Sequence, residues 1–239
     1  MADSTWSFGP HSEPKQLSDN LWTVTAVVPK MGGMVRRMMV VRGQGGGLLV
    51  HSAIAMDEAG MAWLDSLGPV EVIVVPNGWH RMDAPRYKAR YPEARVICPR
   101  GSTKRVRQVV PVDGHYGEIG PFPNDPSVSM AHHPGLREIE GVIKVQSEDG
   151  LTAIFNDALF NIDHMPGFFG FVYGKLMGNA GGPRITTIAR LFMVQDRSAY
   201  RRHLEAISDQ PRLMRVVPGH GAIIDDNPTA MLREVAASL

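Results

Sequence analysis

Polar side chains that could hold a metal ion follow apolar, strand-like runs at four separate places in the chain. They are His80, His132 or His133, Asp157 and His220. Neutral imidazoles and carboxylates are ligands that zinc and other divalent transition metals favour. Because the loops at the C-terminal ends of neighbouring strands meet in α/β proteins, this pattern predicts one shared metal site at a sheet edge.

Residues 71–83 show most clearly how a strand would position such groups. The β-branched run at 72–75 predicts a buried strand, and the Pro-Asn-Gly turn at 76–78 ends it. An aromatic residue, His80 and a guanidinium follow directly. We interpret Asp83 as the N-cap of the next helix rather than as a metal ligand.

The rest of the chain predicts strands alternating with helices. A meander of three antiparallel strands comes first, at residues 21–28, 35–41 and 48–50. Later strands are predicted at residues 94–98, 129–133, 141–146, 151–155 and from 213 to a tight turn at 218–221. Helices are predicted at residues 57–67, from 83 onward, at 198–208 and at 229–239.

The stretch 163–186, rich in Gly, Phe and Met, is interpreted as a lid or binding loop. Its larger apolar side chains suit either an apolar ligand or the contact of a homodimer. They are Phe168, Phe169, Phe171, Tyr173 and Met177.

Length and composition favour one globular domain. With 239 residues, of which 44% are hydrophobic and 21% charged, we expect a lead-in at residues 1–20 and a single domain at 21–239. The net charge of +1 gives no reason to expect nucleic acid or an anionic membrane as partner. Cys98 is the sole cysteine, which excludes an internal disulfide and a cysteine-based zinc site.

Two further features bear on location. The N-terminus lacks a basic region followed by an apolar run, and no stretch reaches about 18 uninterrupted apolar residues. We therefore expect no signal peptide, no membrane span and a cytoplasmic protein.

Taken in order, these motifs resemble the metallo-β-lactamase fold superfamily. One segment lies where that superfamily carries its His-x-His-x-Asp-His loop, and another is similar to the stretch around its third histidine ligand. Two more resemble the Gly-Asp-x-x-Phe segment with its bridging aspartate and the closing Gly-His-Gly turn. The four segments are residues 72–80, 132–135, 153–160 and 216–221.

The resemblance implies an α/β fold, a four-layer αββα sandwich of two mixed sheets with helices outside. It also implies a metal-dependent hydrolase. Asp157 and His220 would be catalytic residues and metal ligands, and His133 (or His132) a further ligand.

The main motif departs from the superfamily's pattern. If Asn77 aligns with its first histidine, the next three ligand positions are also changed; the four residues are Asn77, Trp79, Arg81 and Met82. A guanidinium has no lone pair to offer and repels a cation. The sequence is therefore identified as a degenerate branch without the usual two-metal site.

Two functions follow. In the first, one zinc or other divalent transition metal is bound by a reduced ligand set, and the protein hydrolyses an ester, amide or phosphoester. That ligand set is His80, His133, Asp157 and His220. In the second, no metal is bound, Arg81 replaces it by an ion pair with Asp157, and the cleft binds a small molecule without catalysis.

Overall fold

The computed structural model of the protein describes residues 5–29, 31–118, 120–164 and 167–239. Within them, a seven-stranded mixed sheet forms from the first half of the chain. Its strands lie in chain order: β1 (Lys15–Ser18), β2 (Leu21–Val27), β3 (Val35–Arg42), β4 (Leu48–His51), β5 (Val70–Val74), β6 (Arg95–Cys98) and β7 (Gly114–His115).

The direction of pairing changes within this sheet. Strands β1 to β4 are antiparallel, whereas β4 to β7 are parallel and need helical crossovers. The crossovers are α1 (Glu58–Leu67), α2 (Ala84–Arg90) and a 3₁₀ turn (Arg100–Ser102) that leads into α3 (Thr103–Val106). The C-terminal ends of β4, β5 and β6 therefore meet at one edge.

The second half of the described chain builds a four-stranded mixed sheet. Its spatial order is β13 (Leu213–Val217), β10 (Gly150–Ile154), β9 (Gly141–Ser147) and β8 (Val128–His132), with β10 parallel to β13. A separate two-stranded sheet pairs β11 (Phe160–Ile162) with β12 (Gly182–Arg184). The helical segments are α4 (Gly167–Gly170), a π-helix (Phe171–Leu176), α5 (Thr187–Phe192), α6 (Arg197–Ser208) and α7 (Pro228–Ala237).

The two large sheets pack face to face. Because side chains alternate along a strand, Leu49, Val72 and Val74 face the second sheet, where they join Ile143 and Ile154 in one buried cluster. Burial of each such side chain contributes roughly 1.5–3 kcal/mol to the stability of the folded protein. The apolar run at 72–75 is buried on both faces, as a central parallel strand requires.

Helices cover the outer faces. Ile73 and Val75 point away from the second sheet and pack with Leu64 of α1 and Tyr87 of α2. On the far side, strand and helix residues form the matching cluster: Ala153, Val216, Leu204 and Leu232. The result is the four-layer αββα sandwich of two mixed sheets that the sequence predicts.

Three local expectations need correction. Lys15–Ser18, placed in the lead-in, is a strand that pairs with β2. The stretch 163–186 is not one irregular loop, since it holds α4, the π-helix and β12. Asp83 makes no side-chain cap bond to α2. Its carboxylate instead accepts hydrogen bonds from Arg36, Arg86 and the Ala55 backbone N–H.

Two of the apolar residues expected in the lid, Phe168 and Phe169, have side chains that lie outside the described part of the structure. Of the others, Tyr173 is buried, and Phe171 and Met177 are exposed. Among the described residues, none of the helices combines the length and apolar character needed to cross a membrane.

Cys98 offers a chemical test of the outer core. Its side chain is buried under α2 and α3, and burial raises the pKa of the thiol from 9.0 to about 11. Because the thiolate is the reactive form, we expect native protein at pH 8 to react with a disulfide reagent about a hundredfold more slowly than denatured protein. Cys98→Ala should consume no reagent, and equal rates in native and denatured protein would contradict the buried position.

Candidate metal centre

Three potential ligand atoms form a nearly equilateral triangle at the shared edge of the two sheets. His80 Nε2 lies 3.1 Å from His220 Nε2, and Asp157 Oδ1 lies 3.3 Å and 3.2 Å from these two nitrogens. His80 follows β5, Asp157 follows β10 and His220 follows β13. Each sheet thus contributes to the group, which is the only cluster of potential metal ligands found among the described residues.

The hydrogen bonds behind the imidazoles determine which nitrogen faces the triangle. His220 Nδ1 lies 2.7 Å from the Val35 carbonyl oxygen, so Nδ1 carries the proton and donates it. His80 Nδ1 lies 3.1 Å from Ser52 Oγ, a hydroxyl that can accept the Nδ1 proton in the same way. In the neutral rings, both Nε2 atoms then direct lone pairs into the triangle, as metal-binding histidines do.

Asp157 completes the group with a charged oxygen. Burial raises the pKa of its carboxyl, but His80 and His220 outweigh burial and hold that pKa well below its usual range. Its Oδ2 accepts a hydrogen bond of 2.7 Å from the Asn77 amide. Oδ1 has no hydrogen-bond partner with good geometry among the described residues, although it is buried. An ionised oxygen that lies beside two imidazole nitrogens and lacks a well-directed hydrogen bond is a place for a cation.

The spacing fits a transition metal. A tetrahedral zinc site with bonds of 2.0–2.1 Å separates its ligand atoms by about 3.3 Å. The observed separations of 3.1, 3.2 and 3.3 Å match that value. Two imidazoles and a carboxylate with one open position are also a donor set of catalytic zinc sites. The residues present therefore fit a single metal ion.

Asn77 explains why His80 enters the site although it is one residue away from the expected ligand position. The Asn77 side-chain oxygen accepts hydrogen bonds from the backbone N–H groups of Trp79 (2.9 Å) and His80 (3.0 Å). This tight turn leaves Trp79 exposed, stacked under the Arg105 guanidinium, and directs His80 inward. Asn77 itself is fully buried.

Glu140 holds the loop that carries Asp157 in place. Its fully buried carboxylate accepts hydrogen bonds from three successive backbone N–H groups at 2.7–3.0 Å, and from the Asn77 amide at 3.3 Å. The three N–H groups belong to Asn156, Asp157 and Ala158. Burial and the Asp157 carboxylate raise the pKa of Glu140, whereas these donors favour its ionised form. Sequence reasoning missed Glu140, whose only signal is a carboxylate directly before an apolar strand.

Two glycines and a buried arginine shape the turn that carries His220. A Cβ on Gly219 would lie 2.5 Å from the Asn156 side-chain oxygen. Gly221 has φ +89°, and a Cβ there would lie 1.7 Å from the Asn161 carbonyl oxygen. Arg37 donates a hydrogen bond of 2.5 Å to the Gly221 carbonyl. Only glycine fits at either position, which accounts for the Gly-His-Gly sequence.

His51 lies next to His80 at the end of β4. Its ring is buried, and burial, aided by His80, lowers its pKa to about 3. It is therefore neutral at physiological pH. The neighbouring Ser52 has φ +55°, an unusual conformation for a residue with a Cβ, and this places its hydroxyl against His80.

The structure places His133 outside the centre, so its prediction as a ligand is corrected. Its ring stacks on Phe155 and contacts Tyr200, and its Nδ1 lies 3.1 Å from His203 Nε2. The cause is the turn after β8, because a Cβ on Gly135 would lie 2.4 Å from the Tyr200 backbone nitrogen. This turn packs against α6 and draws His133 with it.

His132 does not substitute for it. Its ring lies against Tyr116, between the sheets, and its Nδ1 is 3.4 Å from the Glu140 carbonyl oxygen. Neither histidine of the pair belongs to the cluster of described potential ligands.

Arg81 does not occupy the metal position either. Its guanidinium donates to the Arg105 carbonyl and, at 2.9 Å, to the Gln108 side-chain oxygen. The contacts of the Asp157 carboxylate are with His80, His220 and Asn77. The expected ion pair between Arg81 and Asp157 is therefore wrong, because the Asn77 turn points residue 81 outward and residue 80 inward.

A cavity of about 350 Å³ opens beside the triangle, and His80, Asp157 and His220 form part of its wall. Its remaining wall is mainly apolar and includes residues from β11 and α5 as well as from the β2–β3 connection. Among them are Val28, Met34, Phe160, Ile188, Phe192 and Met193. A few polar groups in an otherwise apolar cavity wall are typical of a small-molecule site.

The chain has the metallo-β-lactamase fold. Solved structures agree at low sequence identity. The DIM-1 metallo-β-lactamase exposed to ceftazidime is 13% identical, with a TM-score of 0.63 over 95% of this chain and 96% of that chain. A metallo-β-lactamase from Erythrobacter litoralis, with β-mercaptoethanol in its active site, is 13% identical, with a TM-score of 0.65 over 95% and 96%.

A third structure, a metallo-β-lactamase from Pontibacter korlensis, is 14% identical, with a TM-score of 0.61 over 95% of this chain and 99% of that chain. No family model matches the sequence, and no curated protein matches it. The chain therefore shares the architecture of these enzymes over nearly its full length while its sequence is divergent.

Glu140→Gln tests the support of the centre. An amide can accept at only one of the two carboxylate positions, so at least two buried N–H groups lose their partner. We expect a loss of about 2 kcal/mol or more in the free energy of unfolding, measured with urea. Glu138→Gln is the matched control, because Glu138 is 54% exposed and should change stability by less than about 0.5 kcal/mol. Equal effects of the two substitutions would contradict the role of Glu140.

Proposed function

We propose that the protein is a hydrolase that uses a single divalent transition metal, zinc or a related ion, to cleave an ester, amide or phosphoester. One observation carries the proposal: His80 Nε2, His220 Nε2 and Asp157 Oδ1 lie 3.1–3.3 Å apart, which is the spacing of ligand atoms around one zinc ion. These three residues would hold the metal. When bound, it supplies Lewis-acid chemistry, which polarises a carbonyl or phosphoryl oxygen and makes water more acidic.

The chain's own residues hold this donor set in place. The Val35 carbonyl accepts a hydrogen bond from Nδ1–H of His220, and the Asn77 amide donates to Asp157 Oδ2. The Nε2 atom of His220 and the Oδ1 atom of Asp157 are therefore left free for the site. The depressed pKa keeps Asp157 ionised near neutral pH. The carboxylate can accept a hydrogen bond from an attacking water there, but it does not retain the proton.

A second candidate function is binding without catalysis. The observation in its favour is the apolar cavity of about 350 Å³, which could bind a small molecule whether or not a metal is present. In this case a proton, rather than Arg81, would neutralise the triangle, since Asp157 can pair with one protonated imidazole. In this case the open metal position would have no role.

Metal content distinguishes the two candidates. After incubation with zinc and dialysis, we expect the purified protein to retain about one equivalent, the content of a mononuclear site. His80→Ala, His220→Ala and Asp157→Asn should each lower that content severalfold, because each removes one of three ligands. At free zinc about a hundredfold above Kd, binding should stabilise the protein by about 2.7 kcal/mol, seen as a rise in Tm.

Two matched controls sharpen this measurement. His164→Ala removes an exposed histidine outside the cluster, and Arg81→Ala removes the guanidinium once expected in the site. Both should retain the zinc content of the unmodified protein. A content below about 0.1 equivalent of zinc, iron or manganese, with no rise in Tm on adding these metals, would leave the binding function in place of the hydrolase.

A further inference from the structure

We propose that the substrate is an uncharged carboxylic ester whose acyl group is an apolar chain that lies against α5 in the cavity. The inference rests on the proposed hydrolase function and adds the class of substrate. It follows from the composition of the cavity wall, from the one cationic side chain described there, and from the presence of the triangle in the same wall.

The cavity wall away from the triangle is suited to hydrocarbon. Phe160 and Met34 line it and are buried, and Ile188 and Phe192 of α5 line it while remaining partly exposed. Methionine side chains are flexible and polarisable, so they adapt to chains of different shape. A volume of about 350 Å³ is near the lower end for ligand cavities, which indicates a small substrate rather than a polymer.

The positive charge of the arginine on the wall is already neutralised. Arg36 is the single lysine or arginine among the described residues of the wall. Its guanidinium donates to the Asp83 carboxylate at 2.5 Å and to the Ala53 carbonyl at 3.2 Å. Asp83 is buried and receives a second ion pair from Arg86. A carboxylate or phosphate on the substrate would have to compete with this buried pair, whereas an uncharged ester would not.

The triangle lies in the wall of the same cavity as the apolar side chains. A carbonyl at the triangle therefore leaves the acyl chain against the apolar wall, and in the proposed complex it lies against the part formed by α5. In the reaction, the oxygen of water bonds to the acyl carbon and the bond from that carbon to the alcohol oxygen breaks. One proton of the water passes to the departing alkoxide, and the carboxylic acid releases the other to solvent.

Chain length is the first test. With zinc-loaded protein, kcat/KM is measured for the 4-nitrophenyl esters of acetate, butyrate, hexanoate and octanoate. Burial of each added methylene should raise it by about threefold to fourfold until the cavity is full. The monoester 4-nitrophenyl phosphate should be a poorer substrate than any of them. A flat dependence on chain length, or faster cleavage of the phosphate, would overturn the proposal.

A pair of variants on α5 locates the effect. Ile188, 43% exposed, lines the cavity, whereas Leu191, 71% exposed, lies on the same helix outside it. Ile188→Gln should lower the ratio of octanoate to acetate kcat/KM by at least about threefold, and Leu191→Gln should leave that ratio unchanged. Both substitutions leave the net charge unchanged and lie at accessible positions, so neither should prevent folding. Equal ratios in the two variants would place the acyl chain elsewhere and contradict the inference.

Binding of ketones separates this inference from the hydrolase function. The uncharged ketones 2-octanone and 2-butanone resemble the acyl portion but cannot be hydrolysed, and their Kd values can be measured by calorimetry. We expect 2-octanone to bind more than about tenfold tighter, and Ile188→Gln to reduce the difference. If no ester is cleaved but this preference is found, the hydrolase function fails while the apolar ligand class stands. Equal affinities would overturn the ligand class.

Discussion

The buried carboxylate of Glu140 is the interaction on which the centre depends. It takes the place of water for three consecutive N–H groups of the Asp157 loop, which would otherwise be buried without acceptors. The same carboxylate receives the Asn77 amide, whose other contacts are Asp157 and the turn that carries His80. A residue that directly precedes β9 therefore holds loops from both sheets in place. The ligand side chains are positioned by the protein itself rather than by what they bind.

The elements that strand periodicity specifies could be predicted. The run at 72–75 is buried on both faces, and the predicted strands and helices combine as the four expected layers. The turn around His220 could be predicted for a similar reason, because a glycine on either side is a local requirement of the backbone. Such features depend on neighbours in sequence, and a single sequence contains that information.

The arrangement of the site residues could not be predicted in the same way. Whether residue 80 or 81 points inward depends on hydrogen bonds from the Asn77 side chain to the backbone two and three residues later. The place of His133 depends on how the Pro134-Gly135 turn packs on α6, about 60 residues away in the chain. Glu140 becomes important only once the loop after β10 folds over it. The last two are contacts between segments that are distant in the chain, and the first is a local turn whose direction residue spacing alone does not determine.

The distribution of the three ligand atoms between the sheets has a mechanical consequence. His80 belongs to the first half of the chain, and Asp157 and His220 belong to the second. A cation bound to all three would act as a cross-link between the halves, so that the sheets could not separate without breaking a coordination bond. Ligation of this kind raises the barrier to unfolding, so an occupied site would protect the protein from proteases for longer than its equilibrium stability alone requires.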